Sequence, residues 1–164
     1  MKRLLLAAIT VALLSCDHGL APLPSVQPGI SGTVIFEKNT WPSDSLVNLW
    51  VFASQVYPLD SAKVFGGLFA NPPTIYLYPE SGGNLPFLVD SVAYTFHLPP
   101  GTYGYIGVIQ HLSADFSIHS LRVVGVYGTN AAPPAPLPVT VNDGQLVNGI
   151  NIKVNFHNPP PQPF

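Results

Sequence analysis

The chain has 164 residues, 47% of them hydrophobic and only 9% charged, with six basic and eight acidic side chains and a formal net charge of −2. An average domain carries roughly 25% charged residues, and no stripe of Lys and Arg is present here to neutralise phosphates, so nucleic acid is not an expected partner. Nineteen prolines and fourteen glycines beside a single cysteine predict short strands joined by tight turns and held without disulfides.

The N-terminus reads as an export signal over residues 1–15: Met1-Lys2-Arg3, a mostly apolar run from Leu4 to Leu14, then Ser15. The run is too short for a bilayer-spanning helix, which needs about 20 apolar residues. Its last residues, Leu13-Leu14-Ser15-Cys16, resemble the lipobox of bacterial lipoproteins. That resemblance implies cleavage before Cys16, a diacylglycerol on its thiol and acylation of the new amino group. The mature chain would then meet its partners at a membrane of the cell envelope. Asp17 resembles the inner-membrane retention signal of some Gram-negative bacteria, and the leaflet stays open. Loss of Lys2 and Arg3 would leave four basic against eight acidic residues, a net charge near −4.

Residues 16–28 are proline-rich and aperiodic, which predicts an extended linker that, at about 3.1 Å per residue, would reach roughly 35–40 Å. Residues 29–157 form the expected domain. Its first strand covers residues 30–38, with Ile30, Val34 and Phe36 on one face. The second covers 46–55, where Val47, Leu49, Val51 and Ala53 alternate with Leu46, Asn48, Trp50 and Phe52; the first set reads as core. A short strand follows at 74–78. Residues 91–98 alternate cleanly, with Val92, Tyr94, Phe96 and Leu98 facing one way. Pro99-Pro100-Gly101 then turns the chain into a strand at 102–110, and another is expected at 122–127. The closing pair, 139–141 and 149–157, flanks Asn142-Asp143-Gly144-Gln145 and reads as a hairpin with the positive φ that Asp-Gly supplies. Its second arm places Ile150, Ile152, Val154 and Phe156 on a buried face. Residues 158–164 are a proline-rich tail that cannot pair as a strand. Seven or eight strands without helices imply an all-β antiparallel sandwich of two packed sheets.

Three segments resemble carboxypeptidase-regulatory-like domains, whose fold is a transthyretin-like (prealbumin-like) Greek-key sandwich. Ile30-Ser-Gly-Thr-Val34 with residues 47–53 is similar to the family's opening strand pair. Tyr94-Thr-Phe96-His-Leu98-Pro-Pro-Gly101-Thr-Tyr103 is similar to its central "F-x-L-P-P-G-x-Y" stretch. Val139-Thr-Val141-Asn-Asp-Gly144-Gln145 with residues 149–156 is similar to its closing pair. The longer segment 57–90 and the loop 111–120 depart from the family pattern. The resemblance implies a non-catalytic module that docks, scaffolds or contacts carbohydrate.

The candidate sites agree with that reading. Of five histidines, His18 lies in the linker, His97 and His157 fall on polar strand faces, and His111 and His119 flank a loop; none shows paired metal-ligand spacing, so neither metal nor cofactor is expected. Glu37 and Glu80, the only glutamates, lie in different segments, and Asp44, Asp60, Asp90, Asp115 and Asp143 sit in predicted turns, so no acid/base pair is apparent. No G-x-S-x-G is present, and the one thiol would be acylated. The chain therefore reads as a non-enzyme, with a metal-dependent enzyme on a related sandwich as the alternative. Aromatics are the better lead. Trp41, Trp50, Phe52, Tyr76, Tyr78 and Tyr105 form a candidate ligand-contact set, suited to stacking on a glycan or anchoring an envelope protein if exposed, and to a second minor core if covered.

Overall fold

The structure, a computed structural model, describes residues 25–42, 46–80, 82–129, 131 and 133–164. The expected export signal, Cys16, His18, most of the linker and Asp44 lie outside the described residues. The chain is mostly β. In order come β1 (Gly29–Phe36), β2 (Asn48–Ser54), α1 (Ser61–Phe69), β3 (Ile75–Tyr78), β4 (Ser91–His97), β5 (Gly101–Tyr103), β6 (Tyr105–His111), β7 (Leu121–Val126), β8 (Val139–Val141), β9 (Leu146–Val147) and β10 (Ile152–Val154). One curled sheet runs β3-β2-β6-β7-β10-β1-β4, with β9 beside β1, and β5 and β8 make a second, two-stranded sheet.

The main core fills the inside of the curl. Leu49, Val51 and Ala53 of β2, Ile106 and Val108 of β6 and Val124 of β7 face Ile30, Val34 and Phe36 of β1 and Tyr94 and Phe96 of β4. Period-two alternation predicts the positions in β1, β2 and β4, while β6 is buried along its whole length and offers no such pattern. In the final stretch Ile150, Ile152, Val154 and Phe156 are all buried. Val47 is the exception in the expected set: it precedes β2 and is 42% exposed. Two tyrosines tie distant parts of this core together. The Tyr94 hydroxyl donates to the Ile150 carbonyl at 2.7 Å, and the Tyr103 hydroxyl donates back to Pro99 at 2.7 Å. Burial raises the Tyr94 hydroxyl well above its ordinary pKa and pushes Tyr103 up to about 12, a Gln55 hydrogen bond partly offsetting the latter. Both therefore remain protonated donors at neutral pH.

Four expectations need correction. The sheet is mixed rather than antiparallel: β1 runs parallel to β10, Val34 opposite Ile152, and parallel to β9, Gly29 opposite Leu146. The expected closing hairpin does not pair. Its turn forms, with Gly144 at φ +63° and the Gln145 N–H donating to Asn142, but β8 pairs with β5 while β9 and β10 follow β1. The strand expected at 102–110 breaks at Gly104 into β5 and β6, which belong to different sheets. A helix, α1, stands where none was expected. Asp60 caps it by accepting from the Lys63 N–H at 2.9 Å, and Gly67 lets it lie against β3, since a Cβ there would come within 2.8 Å of Ile75 Cγ1 and of Thr74 Oγ1.

Polar cohesion at the surface comes from amides. Asn148 accepts from Ser31 Oγ at 2.6 Å, Asn151 accepts from the Thr33 N–H at 2.9 Å, and Asn155 donates to the Glu37 carboxylate. Among the described residues the one ion pair is Lys63–Asp60, which is solvent-exposed.

Candidate functional site

The six candidate aromatics do not share one face. Trp50 and Phe52 do project from the face of β2 opposite the main core, but that face is covered. Trp50 is 9% exposed, and Phe52 and Tyr105 are each 3% exposed. They belong to a second apolar cluster with Val64 of α1, Ile109, Leu121 and Val123. Leu59 and Leu68 from the α1 segment, Phe116 from the loop 112–117 and Phe164 from the closing segment enclose a residual void of about 20 Å³ beneath them, lined wholly by apolar side chains. The Trp50 indole N–H is also spoken for, donating to the Gly83 carbonyl at 2.8 Å. Of the two alternatives for this set, Trp50, Phe52 and Tyr105 take the covered one and form a second minor core. Helix α1, hidden in the sequence by Gly66-Gly67, is the main reason. Burial raises the Tyr105 hydroxyl pKa.

Tyr76 and Tyr78 sit half-buried between the two ends of the curled sheet. Tyr76 packs edge-on to Tyr103 at 6.0 Å, and Tyr78 lies 5.5 Å from Phe96 and 6.0 Å from Tyr94. They bridge β3 to the far side of the main core, where no backbone ladder joins the halves.

Trp41 is placed differently. After β1 the Glu37 N–H donates to the Val154 carbonyl at 2.9 Å, and the chain turns through Asn39 at φ +61°, a left-handed position that asparagine tolerates. Thr40 closes the turn, its hydroxyl donating to the Glu37 carbonyl at 2.8 Å. The turn lays the Trp41 ring 4.6 Å from Phe36 and 4.8 Å from Phe156, whose rings stack on each other at 6.2 Å. The β1–β10 pairing is what brings those two phenylalanines together. The indole is thus rigidly backed by the core, and its outer side borders an open cleft of about 470 Å³. Lys38 and Asn39 rim the cleft on one side. Leu88, Val89 and Asp90 rim it on the other, and the Asp90 carbonyl is anchored by the Phe36 N–H at 2.9 Å. Leu88 is 77% exposed and holds φ +57°, presenting an apolar side chain to solvent at the mouth. A fixed aromatic floor, one apolar lip, a cation, a carboxylate and an amide make a surface that can stack on a ring and hydrogen-bond to its substituents. Trp41 was legible in the sequence. The rim was not, because Lys38-Asn39 and Leu88–Asp90 are brought together only by the β1–β4 pairing.

The histidines and carboxylates do not converge. Among the described residues no cluster of three or more His, Cys, Asp or Glu could hold a metal ion. His97, His119 and His157 are exposed. His111 is buried, stacked on Trp50 at 5.7 Å and edge-on to Phe116 at 5.6 Å. Its Nδ1 lies 3.1 Å from Asn48 Oδ1 and its Nε2 lies 3.1 Å from the Asp115 carbonyl, so it pins the loop 112–117 to β2. Asp115 accepts from the Ser113 and Ser117 hydroxyls, and those bonds, Ser113 first, lower its pKa. Asp60 is likewise lowered, first by the Lys63 N–H at the helix cap. These carboxylates stabilise local backbone, Asp60 beside Lys63 at the helix cap and Asp115 in the loop that His111 holds.

Compared with models of known protein families, with curated proteins and with solved structures, the chain matches none. No helix among the described residues is long and apolar enough to cross a membrane.

Proposed function

We propose that this chain is a non-catalytic binding module of the bacterial cell envelope, held at a membrane by lipid on Cys16 and taking its ligand in the Trp41 cleft. The observation that carries the binding reading is the cleft itself: an indole fixed against Phe36 and Phe156, open on its outer side and rimmed by Lys38, Asn39 and Asp90. The anchor rests on the sequence, on the short apolar leader ending in Leu13-Leu14-Ser15-Cys16. Binding rather than catalysis is favoured because Asp60 and Asp115 serve their own backbone turns and His111 serves its loop.

The transthyretin-like reading belongs here as well. It is supported by the buried alternation through Tyr94 and Phe96 into Leu98 and by Tyr103 re-entering the core after Pro99-Pro100-Gly101. The parallel β1–β10 pair and helix α1 are departures from a purely antiparallel Greek key.

Within this reading a glycan is the favoured ligand class, since a rigid indole beside mixed donors and acceptors suits a sugar ring. A glycan array probed with the parent chain and with Trp41→Ala tests it: signal on a subset of glycans is expected for the parent, reduced at least about tenfold in the variant if ring stacking supplies on the order of 1.4 kcal/mol or more. Equal signals, or none from a folded parent chain, would remove the cleft as the site. For the anchor, a clickable fatty-acid label should appear on the parent and vanish in Cys16→Ser; persistence of the label in the variant would sink that part.

A further inference from the structure

Residues 158–164, the proline-rich tail expected not to pair as a strand, form none. They are instead a strap laid over the body of the chain. The reversal into the strap is built by Asn155, whose side-chain oxygen accepts from the His157 N–H at 2.9 Å and the Asn158 N–H at 2.7 Å. The strap then crosses β7 where that strand has lost its neighbour. Strand β10 pairs with β7 only as far as Gly125, and Asn155 adds a last bond to Val124, leaving the outward backbone groups of Val123 beyond the ladder. Gln162 takes both of them: its Oε1 accepts from the Val123 N–H at 2.8 Å and its Nε2 donates to the Val123 carbonyl at 2.9 Å. One side chain thus reproduces the pairing of a missing strand residue, which its proline neighbours could not supply from their own backbone. Two residues on, Phe164 packs into the apolar cluster beneath α1.

The attachment is narrow. Hollows of about 250 Å³ and about 260 Å³ flank the strap, one between Pro160–Pro163 and the facing Pro133–Pro136 loop over Tyr57 and Tyr105, the other beside Ile118 and His119. Gln162 itself is exposed despite its two backbone bonds. This is the layout of a bound peptide: one backbone-reading amide, one aromatic anchor in a pocket, and prolines holding the segment extended between them.

We infer that this groove is a peptide-docking site for which residues 158–164 are the resident ligand, and that its occupant in trans is the same segment of a second copy of the chain. The segment is the one peptide whose fit is visible residue by residue, and every copy carries both the groove and the strap. Exchange between copies would replace each contact with its identical counterpart, so the bonds at Val123 and the Phe164 anchor are conserved. What opposes it is the in-cis strap, which is tethered and acts at an effective concentration on the order of millimolar.

The test uses the full chain carrying Gln162→Ala and Phe164→Ala, which weakens the strap and leaves the groove intact, together with a fluorescent peptide of residues 158–164. Saturable binding to the variant is expected, at least about tenfold tighter than to the parent, whose own strap competes. No binding to a folded variant, or equal binding to both chains, would overturn the inference. Hydrogen exchange of the parent chain covers the case in which the variant fails to fold. The Val123 amide should exchange through a local opening, at least about tenfold faster than the core amides of β7 and with little dependence on denaturant. If Val123 exchanges only with global unfolding, the strap is a fixed part of the fold and there is no exchangeable site.

Discussion

The two faces of β2 bury their side chains in different ways. Inward, Leu49, Val51 and Ala53 meet a core supplied mostly by other strands, whose residues are placed by alternation, with Leu85 the main loop contribution. Outward, Trp50 and Phe52 meet a helix, a loop phenylalanine and the end of a strap, none of which shares a period with β2. Both clusters carry half-buried members at their edges, but the inner one leaves large side chains such as Phe96 and Tyr103 almost wholly inaccessible, while the outer one keeps a small void beneath Trp50 and Phe52. A layer assembled from unrelated segments closes less completely than one assembled by a repeating geometry, because no single register sets all its distances. The same contrast explains why the open cleft and the docked strap both involve chain outside the strands.

Substitutions that empty one side or the other should break this contrast most sharply. Phe96→Ala is expected to lower stability by about 3–5 kcal/mol, as for other buried aromatics, whereas Val64→Ala under α1 should lose about 1–2 kcal/mol. Urea unfolding measures both. Equal losses per carbon atom removed would mean that the outer cluster is as tightly closed as the inner one. Two neighbouring glycines then sharpen the account of the helix. Gly66 faces open space, so Gly66→Ala should gain about 0.5–1 kcal/mol from helix propensity, while Gly67→Ala must move Ile75 or Thr74 and should destabilise. If both stabilise, α1 does not sit against β3 as described.

The smallest effect is acidic. Asp60 has a lowered pKa in the folded chain, so its contribution is complete above the ordinary carboxylate pKa and is lost as pH falls through the lowered value. Asn also caps helices but does not titrate, so Asp60→Asn should leave neutral-pH stability nearly unchanged and flatten the decline below about pH 4. Asp115, lowered in the same direction, stays in place and supplies the remaining slope. An unaltered acid limb in the variant would show that the cap does not report on α1.

How much of this was legible in the sequence follows the same division. Ile30, Val34, Phe36, Tyr94, Phe96, Ile152 and Val154 announce their burial because a strand repeats every two residues. Helix α1 was obscured because Gly66-Gly67 argues against a helix, although Asp60 followed by Lys63 and the Val64–Leu68 spacing were available signals. The failed hairpin is instructive: Asp143-Gly144 did form its turn, but a turn dictates only the local reversal and not which strands its arms will join. Trp41 was identified as an aromatic of interest, yet its difference from Trp50 depends on whether a distant segment covers it. Gln162 was unreadable for the opposite reason, since nothing in Pro-Gln-Pro-Phe tells that an amide will replace a backbone.

The parallel pairing of β1 with β10 has a mechanical consequence. The first and last strands lie side by side and point the same way, with β1 also laddered to β4 along its length. A pull that enters ahead of Gly29 and is resisted beyond Val154 loads the β1–β10 hydrogen bonds in shear, so they bear tension together and do not peel one by one. A chain tugged from its N-terminal side at a moving surface would transmit that force through its best-packed layer, leaving the Trp41 turn at the far end of β1 behind the part that holds.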